Sequence, residues 1–187
     1  MKNRMIRHAS LLGSLCAVTV LAGCGAMSHS SSKYSQSNLP AEIQVPAGNR
    51  VAWETVGTGK ITYECKPKAN MPGQVEWTFA GPDAVLKDRS GKTVGKYYGP
   101  PATWEANDGS RLTATQLAVA PSGAGNLPYQ LVKANPAMGA GALTGVTYIQ
   151  RVALKGGVAP TAPCTAQSTG QRMTVPYQAD YIFWKAN

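Results

Sequence analysis

The chain has 187 residues, a formal net charge of +9, four cysteines and only two histidines. Both histidines, His8 and His29, lie ahead of the stretch with strand-like patterning, so the expected folded body holds no imidazole. That excludes a Ser-His-Asp triad, a Cys-His nucleophile and most zinc or copper centres there, all of which need one.

The chain opens with Lys2, Arg4 and Arg7, and from Ala9 to Ala22 it carries no charge and is mostly apolar or small. A basic start followed by a short apolar run is the layout of an export signal. The run is shorter than the ~20 residues of a transmembrane helix and lacks a basic flank on its far side. Its end, Leu21-Ala22-Gly23-Cys24, resembles the lipobox of bacterial lipoproteins at all four positions. The resemblance implies a signal peptide over residues 1–23, cleavage before Cys24, diacylglycerol on the Cys24 sulfur and an acylated new amino group. An ordinary cleaved signal or a buried core helix are the alternatives. Two or more acyl chains make a stable membrane anchor. Gly25 stands where inner-membrane lipoproteins of enteric-type bacteria carry an aspartate, so the expected address is the outer membrane. Residues 24–38 then form the lipidated cysteine and a Ser-rich tether. A coil of that length spans on the order of 20 Å.

Residues 39–187 have the length of one domain. Period-two alternation marks strands. Ile61, Tyr63 and Cys65 share one face, as do Val75, Trp77 and Phe79. Arg111 to Ala120 and Val146 to Leu154 are rich in strand formers, and Val175, Tyr177, Ala179, Tyr181 and Phe183 line a face near the end. Turn signals punctuate these runs at Gly57-Thr58-Gly59, Pro72-Gly73, Gly81-Pro82, Ser90-Gly91, Asp108-Gly109, Pro121-Ser122-Gly123 and Gly156-Gly157. The expectation is an all-β fold, an antiparallel sandwich or barrel with few short helices. Long loops are expected near residues 120–126 and 159–170. Gly139 to Gly145 has the spacing GxGxxxG and precedes a strand-like run, so it reads as a turn and not as a dinucleotide loop.

Cys16 leaves with the signal and Cys24 takes lipid, which leaves Cys65 and Cys164. Outside the cytoplasm these two read as a disulfide; two free buried thiols or a metal pair are the alternatives. No other soft ligand remains in the body, and neither metal nor cofactor is expected. From Cys24 onward 15 Lys and Arg face 9 acids, a net charge of +6. The basic residues are scattered, and export argues against nucleic acid. A positive field suits an anionic envelope polymer or glycan.

The stretch "GKYYGPPATWEANDGS", Gly95 to Ser110, gathers aromatic and polar groups. Tyr97, Tyr98, Trp104, Glu105 and Asp108 are the candidate ligand-binding residues, as a stacking platform for a sugar or peptide. The competing reading packs Trp104 in the core and makes Asn107 to Ser110 a turn. Trp53, Trp77 and Trp184 read as core. The nearest acid pairs, Asp83 with Asp88 and Glu105 with Asp108, are the only hint of carboxylate chemistry.

"LPAEIQVP", "ITYEC", "WEANDGS", "GVTYIQRV", "KGGVAP" and "VPYQADYIFWKA" together resemble the family catalogued as domain of unknown function 3455, over about Leu39 to Ala186. The resemblance implies an exported protein with no activity established for the class, and it matches the family's paired cysteines to Cys65 and Cys164. Many relatives carry a histidine before an aromatic and a Gly-Pro-Thr-Trp run. Here Tyr97 takes that place, and the run is one residue longer.

The leading expectation is a non-catalytic β-domain, held to the envelope by lipid, that binds an envelope component or small ligand. The alternatives are a carboxylate-dependent hydrolase or lyase acting on envelope polysaccharide, and a structural or stress-related envelope protein without a ligand. No catalytic residue is assigned.

Overall fold

The computed structural model describes residues 34–187. Eight strands follow in chain order: β1 (Asn49–Pro67), β2 (Val75–Lys87), β3 (Thr93–Tyr98), β4 (Thr103–Ala106), β5 (Arg111–Ala120), β6 (Tyr129–Ala134), β7 (Val146–Gly156) and β8 (Arg172–Ala186). Each pairs antiparallel with the next, and β8 returns to pair with β1, so the sheet closes into a barrel. Of the two architectures the sequence allowed, closure selects the barrel. The only helical elements among the described residues are two 3-10 turns, Ala41–Ile43 and Ala166–Ser168.

Strand β1 is the seam. Its residues from Asn49 to Glu64 pair with β8, and those from Val56 to Pro67 pair with β2. Where both partners flank it, inward positions alternate as Gly57, Gly59, Ile61 and Tyr63. Gly57-Thr58-Gly59 therefore lies inside a strand and is not the turn expected. A Cβ on Gly57 would stand 2.8 Å from the Tyr181 ring, so the missing side chain is the space that Tyr181 fills. Gly81-Pro82 also sits within a strand, beside a bulge that leaves Ala80 without a partner on β1.

The interior is apolar and aromatic. Leu86, Leu112, Ile149, Tyr177, Ala179, Tyr181 and Phe183 are all buried there. The exterior carries Lys60, Glu64, Lys66, Lys87, Lys96 and Glu105. This polarity is the reverse of a lipid-facing barrel, whose outer band is apolar.

A second cluster lies outside the sheet. Ile43 and Val45 pack on Ala120, Leu131, Val152, Ile182 and Trp184. Gln150, fully buried, pins this N-terminal strap to β7. Its amide nitrogen donates to the Ile43 carbonyl at 2.7 Å and to the Gln36 side chain at 2.9 Å. Its oxygen accepts from Trp184 Nε1 at 2.9 Å and from the Tyr34 hydroxyl at 3.1 Å. Tyr34 to Asn38, read from the sequence as tether, thus belong to the folded unit. The signal segment and Cys24 lie outside the described residues.

The two barrel ends differ. At one end the β6–β7 connection folds inward and buries Leu143 completely in the interior cluster. Asp108, in the β4–β5 turn, holds this plug. Its carboxylate accepts from the Ser110 hydroxyl at 2.6 Å, the Ser110 amide at 2.9 Å and the Ala142 amide at 2.7 Å. The Ser110 hydroxyl also accepts from the Leu143 amide at 3.2 Å. At the other end lie the β5–β6 loop and the long β7–β8 connection. Cys65, near the end of β1, is bonded to Cys164 in that connection. Trp77 Nε1 donates to the Ala162 carbonyl at 2.7 Å and ties the same segment to β2.

Two outcomes follow from this packing. Gly57→Ala puts a methyl group into the Tyr181 ring and lowers stability by ~1–3 kcal/mol, the usual cost of overpacking, read by urea unfolding. The hydrogen bonds to Asp108, first from the Ser110 hydroxyl and then from the Ala142 amide, hold its carboxyl below the ordinary aspartate value of 3.8. A depressed carboxyl contributes stability in full above 3.8, and the contribution is lost as pH falls through the lowered value. Asp108→Asn is therefore less stable than the parent at neutral pH, and the gap closes on acidification. Unfolding curves across the acid range check this, and a gap that stays constant contradicts it.

Candidate functional site

The sequence-derived candidates divide by strand parity. β3 and β4 pair with Tyr97 opposite Trp104 and Lys96 opposite Glu105. Side chains alternate across a strand, so one pair faces the interior and the other faces out. Tyr97 and Trp104 are buried, at 4% and 2% exposure. Their rings stack with centroids 4.8 Å apart, and Tyr181 closes on both, at 5.0 Å and 5.6 Å. Tyr98 and Glu105 lie on the outer surface. The Tyr98 hydroxyl donates to Glu105 at 2.7 Å, and Lys96 pairs with Glu105 at 3.1 Å. The Tyr98 bond, and then Lys96, hold the Glu105 carboxyl below its ordinary value. Asp108 is spent on the plug. The five residues therefore do not form one platform, and the pair inside the barrel belongs to a different site.

That site is a half-enclosed cavity of about 350 Å³ at the end opposite the Leu143 plug. Tyr63, Phe79, Tyr97, Trp104, Ala114, Val132 and Arg151 line it, from seven of the eight strands. Leu127 and Pro128 of the β5–β6 loop complete the wall, with Gln116 and Gln130. Phe79 and Val119 are 47% and 45% exposed. The Gln130 amide donates to Gln116 at 2.6 Å. An eight-stranded barrel is just wide enough to be filled by its own side chains or to hold one small ligand. Here Tyr181, Phe183 and Leu86 fill the middle, and smaller Ala102 and Ala114 leave room towards the rim.

Arg151 is a site residue that composition and motif spacing do not single out. Strand parity carries the missing signal. Ile149 and Arg151 are two residues apart on β7, with no irregularity between them, and their β8 partners are the interior residues Phe183 and Tyr181. Arg151 Nη2 donates to the Pro128 carbonyl at 3.0 Å, which fixes the guanidinium beside the β5–β6 loop.

Four tyrosines surround this charge. The Tyr177 and Tyr181 hydroxyls lie 2.7 Å apart, and Tyr63 donates to the Gly157 carbonyl at 2.7 Å. Burial raises the pKa of Tyr63, Tyr97, Tyr177 and Tyr181, against the opposing field of Arg151. All four stay neutral at physiological pH, so the cavity presents phenols, indole, aliphatic groups, amides and one fixed cation. No acid lines it. The acids flanking the barrel are engaged on its outside: Glu54 and Asp180 with Arg89, Glu64 with Arg172, and Asp83 with Lys60. Among the described residues no cluster of metal ligands occurs.

Tyr97, which stands where the resemblance puts a histidine in many relatives, is thus a cavity residue. A family model described as "Protein of unknown function (DUF3455)" matches residues 46–185, from the end of the strap to the last turn of pairing in β8. No curated protein and no solved structure matches the chain. With the match covering every strand of the barrel, the chain belongs to the DUF3455 family.

Proposed function

We propose that this chain is a non-catalytic binding module, held to the cell envelope by lipid on Cys24, whose barrel takes a small ligand through its open end. The cavity carries this reading. It is concave, aromatic-walled and built by rigid strands, with a few polar groups for orientation, as small-molecule sites are. The export signal and lipobox at the N-terminus support the anchored address, and the positive balance after Cys24 suits anionic envelope surroundings. A hydrolase working through paired carboxylates has no support in the cavity, whose lining contains no acid. Glu105 and Asp108 are each committed to local hydrogen bonds elsewhere.

Thermal-shift screening against envelope glycans, peptidoglycan fragments and small apolar or amphipathic compounds tests the reading. A ligand held at 100 times its Kd adds ~2.7 kcal/mol of stability, enough for a clear rise in Tm. The expected hit loses its shift in Ala114→Trp, which fills the cavity. Uniformly null shifts, or hits that Ala114→Trp leaves unchanged, contradict it.

A further inference from the structure

Among the described residues Arg151 has no counter-charge within ion-pair distance. None of the six ion pairs among the described residues includes it, and the cavity lining supplies no carboxylate. Its Nε is buried without a hydrogen-bond partner. A second buried donor in the lining, Nε1 of Trp104, is also unpartnered, in a residue only 2% exposed. An unpaired charge and an orphaned N–H are both expensive to bury. Both orphaned atoms are closed off from the cavity space, so what the cavity itself presents is the uncompensated Arg151 charge, which an acceptor carrying negative charge would balance.

We propose that the cavity binds a small organic monocarboxylate, with the Arg151 guanidinium as its charged donor. This rests on the reading of the barrel as a binding module and names the class of its ligand. A guanidinium fork matches a carboxylate in two parallel hydrogen bonds. One arginine balances one charge, and no lysine joins it in the lining, which favours a carboxylate over a phosphate. Phe79, Val119 and Leu127 supply an apolar wall for the rest of the molecule. A volume of about 350 Å³ limits that body to a bicyclic ring system or a medium-length chain.

Naphthoate and naphthylmethanol share one body and differ in the charged group, so calorimetric titration of both into the protein decides the matter. Naphthoate is expected to bind, with the alcohol weaker by about ten- to hundredfold, the range that a lost charge-assisted hydrogen bond produces. Arg151→Met should bring naphthoate down to the level of the alcohol without weakening the alcohol itself. Ala114→Trp should abolish both. Equal binding of the two compounds by the parent protein overturns the carboxylate assignment and leaves the binding-module reading standing. Naphthoate binding that survives Ala114→Trp lies outside the cavity and overturns the assignment too. Failure of both compounds to bind the parent overturns both readings. The comparison within the parent decides even if Arg151→Met does not fold.

Discussion

The pairing of β1 with β8 is the constraint on which the rest depends. Without it the eight strands form an open, twisted sheet with a solvated inner face and two unpaired edges, a known liability. With it Tyr177, Tyr181 and Phe183 of β8 meet Leu86, Leu112 and Trp104 across a closed interior. Closure demands space as well as hydrogen bonds. Gly57 yields that space on β1, opposite Ala179 of β8, and the Tyr181 ring occupies it. The seam and the core are therefore one feature, since the ring that fills the barrel fits only because the closing strand lacks a side chain there.

Once closed, the barrel treats its two ends differently. Asp108 and Ser110 hold Leu143 as a plug at one, so that end is spent on stability. The other retains a cavity, and the groups that shape its rim are tied to the frame. Pro128 fixes Arg151, the Gly157 carbonyl fixes Tyr63, and the Cys65–Cys164 bond anchors the long connection nearby. A site whose polar groups are positioned in advance loses little entropy on binding. The N-terminal strap lies on the outside of β5 to β8 and contributes nothing to the cavity wall.

Much of the fold was legible in the residues. The period-two face of β8 is visible from Val175 to Phe183. Apolar Ile182 and Trp184 at the intervening positions foreshadow the strap that buries them from outside. Two turn signals misled, because glycine and proline mark close approach and bulges as well as turns. Gly57 and Gly59 are interior positions, and Gly81-Pro82 sits by a bulge. The candidate site was only half legible. Composition singled out the 95–110 stretch, but alternation sends Tyr97 and Trp104 inward and Tyr98 and Glu105 outward, so a cluster in sequence is not a cluster in space. Arg151 carried a readable sign, a charge in phase with Ile149 on an inward face. Its meaning depended on non-local facts: which strand lies opposite, and that no carboxylate joins it in the cavity lining.

Amide hydrogen exchange along β1 and β8 tests barrel closure most directly. Residues Val56 to Gly59 have partners on both sides, and the β8 residues that face them, Tyr177 to Asp180, lie between β1 and β7. The account predicts that these amides exchange only through global unfolding, as slowly as those between β1 and β2. Fast, locally controlled exchange along the β1–β8 seam would mean an open sheet, and the cavity and its lone cation would lose the wall that defines them.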